Sequence, residues 1–138
     1  RVFGSIMAKK NNGVIINISS DLAVRAPDQR VYSKTSKIKD VRNFKPIGYP
    51  IVKSGMLGLN RYLATYWAHK GIRVNCLVPG AVKHKQSKKL IKEITERVPL
   101  SRLAKKDEYR GGIIFLSSDA SSYMTGQLLI MDGGRSIW

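Results

Sequence analysis

Ile72-Arg73-Val74-Asn75-Cys76-Leu77-Val78-Pro79-Gly80 is the stretch on which the fold turns. Ile72, Val74, Cys76 and Val78 alternate with Arg73, Asn75 and Leu77, and Pro79-Gly80 ends the run, so it reads as a strand closed by a sharp turn. Upstream, Val52, Met56, Leu59, Leu63 and Trp67 recur at spacings of 4, 3, 4 and 4 between Tyr49 and His69, which predicts a helix with one buried stripe. Pro50 fits its first turn, where a missing N–H is tolerated, and Gly71 fits its stop. Further back, Val14-Ile15-Ile16-Asn17-Ile18 is nearly all apolar between Asn11-Asn12-Gly13 and Ser19-Ser20, as expected of a parallel strand covered on both faces. Downstream, the basic stretch Lys83 to Arg97 reads as helical. Asp107 and Glu108 sit where a helix N-terminus favours negative charge, ahead of Ile113-Ile114-Phe115-Leu116. Leu128-Leu129-Ile130-Met131 is the last strand, closed by Asp132-Gly133-Gly134. Strands alternating with helices at these distances predict an α/β fold with right-handed crossovers and a parallel sheet. Residues 21 to 48, rich in Lys, Arg, Asp and Pro, interrupt the rhythm; connections of this length are usually functional or mobile.

The 138 residues carry 25 Lys plus Arg against 9 Asp plus Glu, a formal net charge of +16, with 43% hydrophobic residues. That is enough apolar material for a core and argues against wholesale disorder, and the length fits one domain. One cysteine, Cys76, makes no internal disulfide and no zinc site by itself, which suits a reducing compartment. Neither an apolar run of roughly 18 residues nor a leader with a cleavage site is visible, so no membrane span is expected and the cytoplasm is the expected address. The row opens on Arg1-Val2-Phe3-Gly4-Ser5-Ile6-Met7-Ala8, which reads as the tail of a helix already under way and suggests a fragment.

Tyr49-Pro50-Ile51-Val52-Lys53 places a phenol and an ammonium four residues apart, on one face of a helix. A cation about 4 Å from a phenolate, at an effective dielectric of about 20, stabilises it by at most roughly 4 kcal/mol, so the pair is suited to acid–base work. Ser20, leaving the C-terminal end of a parallel strand, is placed to donate a hydrogen bond to a carbonyl or alkoxide, because ligands of open α/β sheets gather at those strand ends. Taken alone, a Tyr-x-x-x-Lys match is a weak signal that more often marks an ordinary surface tyrosine and lysine.

In context the sequence resembles the short-chain dehydrogenase/reductase family, in register over almost the whole chain. The resemblance is carried by Gly13 to Ser20, by Tyr49 to Lys53, by Arg73-Val74-Asn75-Cys76-Leu77-Val78-Pro79-Gly80, and by Thr125-Gly126-Gln127 leading to Asp132-Gly133-Gly134. It implies a Rossmann-like, doubly wound parallel sheet, of which residues 1–138 form the C-terminal, catalytic portion of a single domain. It also implies an oxidoreductase that uses NAD or NADP and moves a hydride between nicotinamide and an alcohol or carbonyl substrate. On that resemblance Tyr49 is the general acid/base, Lys53 supports it and binds the nicotinamide ribose, Ser20 orients the substrate oxygen, and Pro79, Gly80 and Val82 border the nicotinamide. The lysine-rich segment that follows takes the place of the substrate lid, and assembly as a homodimer or homotetramer is expected.

The sequence also departs from the family pattern. The glycine-rich phosphate turn, and the residue that selects between the two cofactors, are not among these residues. The family's active-site asparagine would lie just before Arg1, and His84 stands where many members carry Thr. Ser20 and Tyr49 are 29 positions apart, farther than is common in the family, so 21–48 is expected to loop out near the active site. Together with Asp21 to Gln29 and Tyr62 to Trp67, this insertion looks similar to a branch associated with bacterial surface-polysaccharide or flagellin sugar modification. Alternative functions are a non-catalytic basic binding module or inactive relative, and a sugar-nucleotide epimerase or dehydratase.

Arg30, Tyr32 and Arg42 in the long connection are candidate substrate contacts. Lys83, Lys85, Lys88, Lys89 and Lys92 form either a solvated face or a lid that attracts an anionic or sugar-based small molecule. The run lacks the interleaved aromatics of a nucleic-acid stacking platform. His84 reads as a solvated loop residue or a proton shuttle, His69 as a complement to a helix dipole, Cys76 as a small core residue, and Asn75 as a turn holder. Asn17-Ile18-Ser19 spells a glycosylation sequon that a buried strand would leave idle.

Overall fold

The computed structural model describes residues 2–33 and 44–137. Strands β1 (Gly13–Ile18), β2 (Ile72–Pro79) and β3 (Leu128–Met131) form a parallel sheet in that order, with Gly13 opposite Ile72, Ile18 opposite Leu77, Cys76 opposite Leu128 and Pro79 opposite Met131. Helices α1 (Val2–Lys10), α2 (Gln29–Ser33), α3 (Gly48–Trp67), α4 (Lys88–Thr95) and α5 (Arg110–Ser117) connect and flank them. Ile72 and Val74 pack with Ala64 of α3, whereas a Cβ on Gly112 of α5 would touch Leu77, Leu129 and Met131. Because successive strand residues point to opposite faces, α3 and α5 cover opposite sides of the sheet, the doubly wound arrangement that the family resemblance implies.

The long helix departs from its expected stripe. Met56, Leu63 and Trp67 are half-buried, but Val52 and Leu59 are 63% and 43% exposed, and the buried positions are Asn60 and Ala64. A small and a hydrogen-bonded residue let the helix lie close against the strands: Asn17 Nδ2 donates to Asn60 Oδ1 at 3.1 Å, and Asn60 Nδ2 donates to the Gln127 carbonyl at 3.4 Å. The helix runs through a 3-10 turn (Ala68–Lys70) that carries His69, and stops at Gly71, whose φ of +63° is left-handed. A Cβ there would also sit 2.6 Å from the Asn11 carbonyl oxygen.

Other expectations shift at their edges. The basic stretch is helical only from Lys88, where the Ser87 hydroxyl caps Leu90 N–H. Before it, Val82 pairs with Ala104, and Gln86 ties the His84 N–H to the Val82 carbonyl. Glu108 is drawn away from the start of α5 by the Arg102 guanidinium at 2.6 and 2.7 Å. Strand β1 is only half-buried and its Ile18 is 44% exposed, whereas β2 is covered almost throughout, with Cys76 fully buried. The 21–48 connection is partly built into the core, because Val31 of α2 is fully buried against Ile94, Val98 and Leu103. Arg42 lies outside the described residues.

Two polar side chains of β2 anchor the segment between α5 and β3. Arg73 donates to the Leu116 and Ser118 carbonyls at the C-terminal end of α5, at 3.2 and 3.1 Å, where a cation also suits the helix dipole. Asn75, fully buried, donates to the Met124 carbonyl at 2.8 Å and accepts from Gln127 N–H at 3.0 Å, which makes it the turn holder expected from the sequence. Asn75→Ala in the full-length protein is expected to cost about 1–3 kcal/mol for each of the two backbone groups it orphans. Urea unfolding checks this; an unchanged midpoint would contradict it.

Candidate active site

The C-terminal ends of three parallel strands converge on one edge of the sheet, the place where open α/β folds bind ligands. The β1–β2 ladder closes with Ser19 N–H donating to the Leu77 carbonyl at 2.9 Å, so the chain leaves β1 at Ser20 beside the Pro79-Gly80 turn that ends β2. Ser20, buried, caps a 3-10 turn (Asp21–Ala23): its Oγ accepts from Leu22 N–H at 3.3 Å and donates to Asp21 Oδ1 at 3.1 Å.

Helix α3 is pinned to this strand end through Lys53. The Lys53 ammonium donates to the Ile18 carbonyl at 3.1 Å, and the Ser19 hydroxyl donates to the Lys53 carbonyl at 2.7 Å. Tyr49, one turn earlier, is 38% exposed and has two cations near its ring: Lys45 Nζ is 3.7 Å from the centroid and Lys53 Nζ is 5.9 Å from it. Lys45 was not singled out from the sequence; its only signal is its position four residues ahead of Tyr49.

The Pro79-Gly80 turn is held on its other side. Gly80 N–H donates to the Met131 carbonyl at 2.9 Å, and the Tyr109 hydroxyl donates to the Gly80 carbonyl at 3.1 Å. A Cβ on Gly80 would lie 2.7 Å from Asp132 Cα, so only glycine allows this approach. Gly80, Ala81, Leu103, Tyr109, Met131 and Asp132 line a mainly apolar cleft of about 240 Å³. Pro79 and Val82 flank it in the chain, and Ser20, Tyr49 and Lys53 do not line it.

Helix α2 brings the connection to the same end of the sheet. Burial pushes the Tyr32 hydroxyl pKa up, and the other groups acting on it are Arg135, Asp21, Tyr49 and Arg25. The Arg30 guanidinium grips Asp28 at 2.9 and 3.1 Å, and Arg97 at the end of α4 reaches the same carboxylate at 2.9 Å. The Arg30 hydrogen bond, with help from Arg97, holds the Asp28 carboxyl well below the usual carboxylate range. Asp21 pairs with Arg135 Nη1 at 3.0 Å, both side chains being buried. Neither Asp21 nor Arg135 was singled out, because 114 positions separate them and no local pattern links them. His84 lies exposed in the turn before α4. Among the described residues no three His, Cys, Asp or Glu side chains converge as a metal site, and no helix is long and apolar enough to cross a membrane.

A family model described as enoyl-(acyl carrier protein) reductase matches residues 1–136. The chain is 34% identical over 136 residues to a 3-oxoacyl-(acyl-carrier-protein) reductase FabG of Thermotoga maritima, covering 95% of this chain and 48% of that protein. Its structure is similar to a short chain dehydrogenase from Leptospira borgpetersenii with bound NAD+ (TM-score 0.86, 34% identity, 96% of this chain and 48% of that one). It is also similar to a gluconate 5-dehydrogenase from Burkholderia cenocepacia in complex with NADP and tartrate (TM-score 0.82, 26% identity, 97% of this chain and 49% of that one). The chain belongs to the short-chain dehydrogenase/reductase family and has its Rossmann-type sheet. It spans about half the length of the curated relatives it matches.

The Asp28 tie gives a pH test with a definite sign. A carboxyl whose folded pKa is depressed stabilises the fold above its ordinary value of about 4, and that contribution is lost as pH falls toward the folded value. The protection of α2 amides against hydrogen exchange, relative to the intrinsic rate at each pH, is expected to fall below about pH 4 in the wild type, and already at neutral pH in Asp28→Asn. Equal exchange in the two proteins at neutral pH would contradict the tie.

Proposed function

We propose that the full-length protein is an NAD(P)-dependent oxidoreductase acting on an alcohol or carbonyl group, with Tyr49, Lys53 and Ser20 as its reacting side chains. The observation that carries this reading is the double tie of Lys53 to the end of β1, through the Ile18 carbonyl and the Ser19 hydroxyl, which sets the Tyr49 helix face next to the strand that delivers Ser20. The residues present suit the nicotinamide end of a dinucleotide: Gly80 lets the turn after β2 close against Asp132 at the wall of the apolar cleft, with Pro79 and Val82 flanking it, and the Tyr49 and Lys53 polar ends can bind ribose hydroxyls. The nicotinamide, when bound, supplies the hydride donor or acceptor. The Tyr49 oxygen takes the proton of the alcohol as the carbinol C–H bond breaks, and returns a proton to the carbonyl oxygen in the reverse direction. The Lys53 ammonium favours the deprotonated form of that oxygen, and the Ser20 hydroxyl fixes the substrate oxygen.

The relatives and neighbours include enzymes of acyl-chain and polyol or sugar-acid chemistry, and a small polyhydroxylated substrate fits the polar surroundings of Ser20 better than an acyl chain does. A role in bacterial sugar modification is consistent with the long 21–48 connection, in which Arg30 and Tyr32 are further candidate contacts. The exposed Ile51, Val52, Leu59 and Tyr62 on α3 support assembly into a homodimer or homotetramer, and the cytoplasm is the compartment we assign. Tyr49→Phe in the full-length protein is expected to lower kcat by about 10²–10⁴-fold, the usual worth of a positioned acid/base, while NAD(P)H affinity falls by no more than about tenfold, the worth of one ribose hydrogen bond. A retained wild-type rate would overturn the assignment.

A further inference from the structure

A charged cluster beside Ser20 has no task in hydride transfer. Arg135 and Asp21 have only 5% and 4% of their side chains exposed, and the Asp21 oxygens are both engaged, one by Ser20 and one by Arg135. Arg25, one turn further on, donates its backbone N–H to the Asp21 carbonyl and brings a second, half-buried guanidinium to the same place. The neighbouring carboxylates are committed elsewhere: Asp28 to Arg30 and Arg97, and Asp132 to the N–H groups of Gly134 and Ser136 at 2.9 and 2.7 Å. Two guanidinium groups therefore crowd around Asp21, and Arg25 has no hydrogen-bonded carboxylate of its own among the described residues. Burial first, and then Arg135, lower the pKa of Arg25 against the opposing pull of Asp21, Asp28 and Asp132. Among the described residues, two buried donor atoms, Arg25 Nη1 and Arg135 Nε, have no hydrogen-bond partner. Unpaired buried guanidinium donors are costly, and planar guanidinium groups are matched to the two oxygens of an oxyanion.

We propose that Arg25 and Arg135 form a subsite for an oxyanionic group, a carboxylate or a phosphate, carried by the substrate whose hydroxyl or carbonyl meets Ser20. Arg135 is the buried wall of this subsite and Arg25 its accessible side, with Tyr32 of α2 beside both. The enzyme would thus select acidic hydroxy or keto compounds over neutral polyols. Calling the bound species a substrate rests on the oxidoreductase reading; the binding of the anion does not.

The test is calorimetric titration of the full-length protein, saturated with oxidised cofactor, with tartrate, with its neutral four-carbon counterpart threitol, and with inorganic phosphate. The wild type is expected to bind tartrate or phosphate at least tenfold more tightly than threitol, tartrate marking a carboxylate site and phosphate a phosphate site. Arg25→Gln should remove that preference with unchanged circular dichroism and threitol binding. Arg135→Lys, which keeps the charge opposite Asp21 but loses Nε, should weaken it by a smaller factor. Equal binding of anion and threitol by the wild type, no measurable binding of either anion, or a preference that survives Arg25→Gln would overturn the subsite. Tyr49→Phe should bind the anion as the wild type does, so the subsite can fail while the redox assignment stands, and the reverse.

Discussion

The attachment of α3 to the end of β1 through Lys53 governs the arrangement of the site. One side chain satisfies the Ile18 carbonyl, left open where the strand ends, while its own carbonyl receives the Ser19 hydroxyl. A helix joined to a strand end at two points cannot slide by a turn without leaving both groups unpaired in a partly dry environment. The register of α3 is therefore fixed at its N-terminal end, where Tyr49 stands, and its distance from the sheet is fixed farther along by Asn60 and Ala64. Position and distance together bring a phenol to the mouth of a parallel sheet.

The same economy recurs on the other face. Arg73 and Asn75 point toward α5: Arg73 donates to carbonyls at the end of that helix, and Asn75 to the Met124 carbonyl in the turn that leads into β3. That turn sets where β3 ends, hence where Asp132 meets Gly80, and so shapes the cleft. Fold and site are coupled through polar side chains on a strand that is otherwise apolar.

The three strands, the long helix, its Gly71 stop and the Pro79-Gly80 turn were legible because each has a local signature: an apolar run, a period near 3.6, or a residue with special backbone freedom. Hydrophobicity marks Val52 and Leu59 on α3, whereas close packing selects Asn60 and Ala64. A run of lysines has no inherent beginning, so the pattern from Lys83 does not show that α4 starts at Lys88; Ser87 supplies that start. Tyr49, Lys53 and Ser20 stood out through spacing and strand context. Lys45, Asp21, Arg25 and Arg135 did not, since their meaning arises only when segments distant in the chain come together. The incorporation of Val31 into the core was equally hidden, because a five-residue helix carries too short a pattern to read.

The account stands on Tyr49 and Lys53 acting as one unit. A double-mutant cycle on kcat of the full-length enzyme at saturating cofactor, with Tyr49→Phe and Lys53→Met made singly and together, measures that directly. If the ammonium works through the phenol, the double variant is no slower than about the slower single variant. If the two losses multiply, the side chains act independently and the proposed chemistry is wrong.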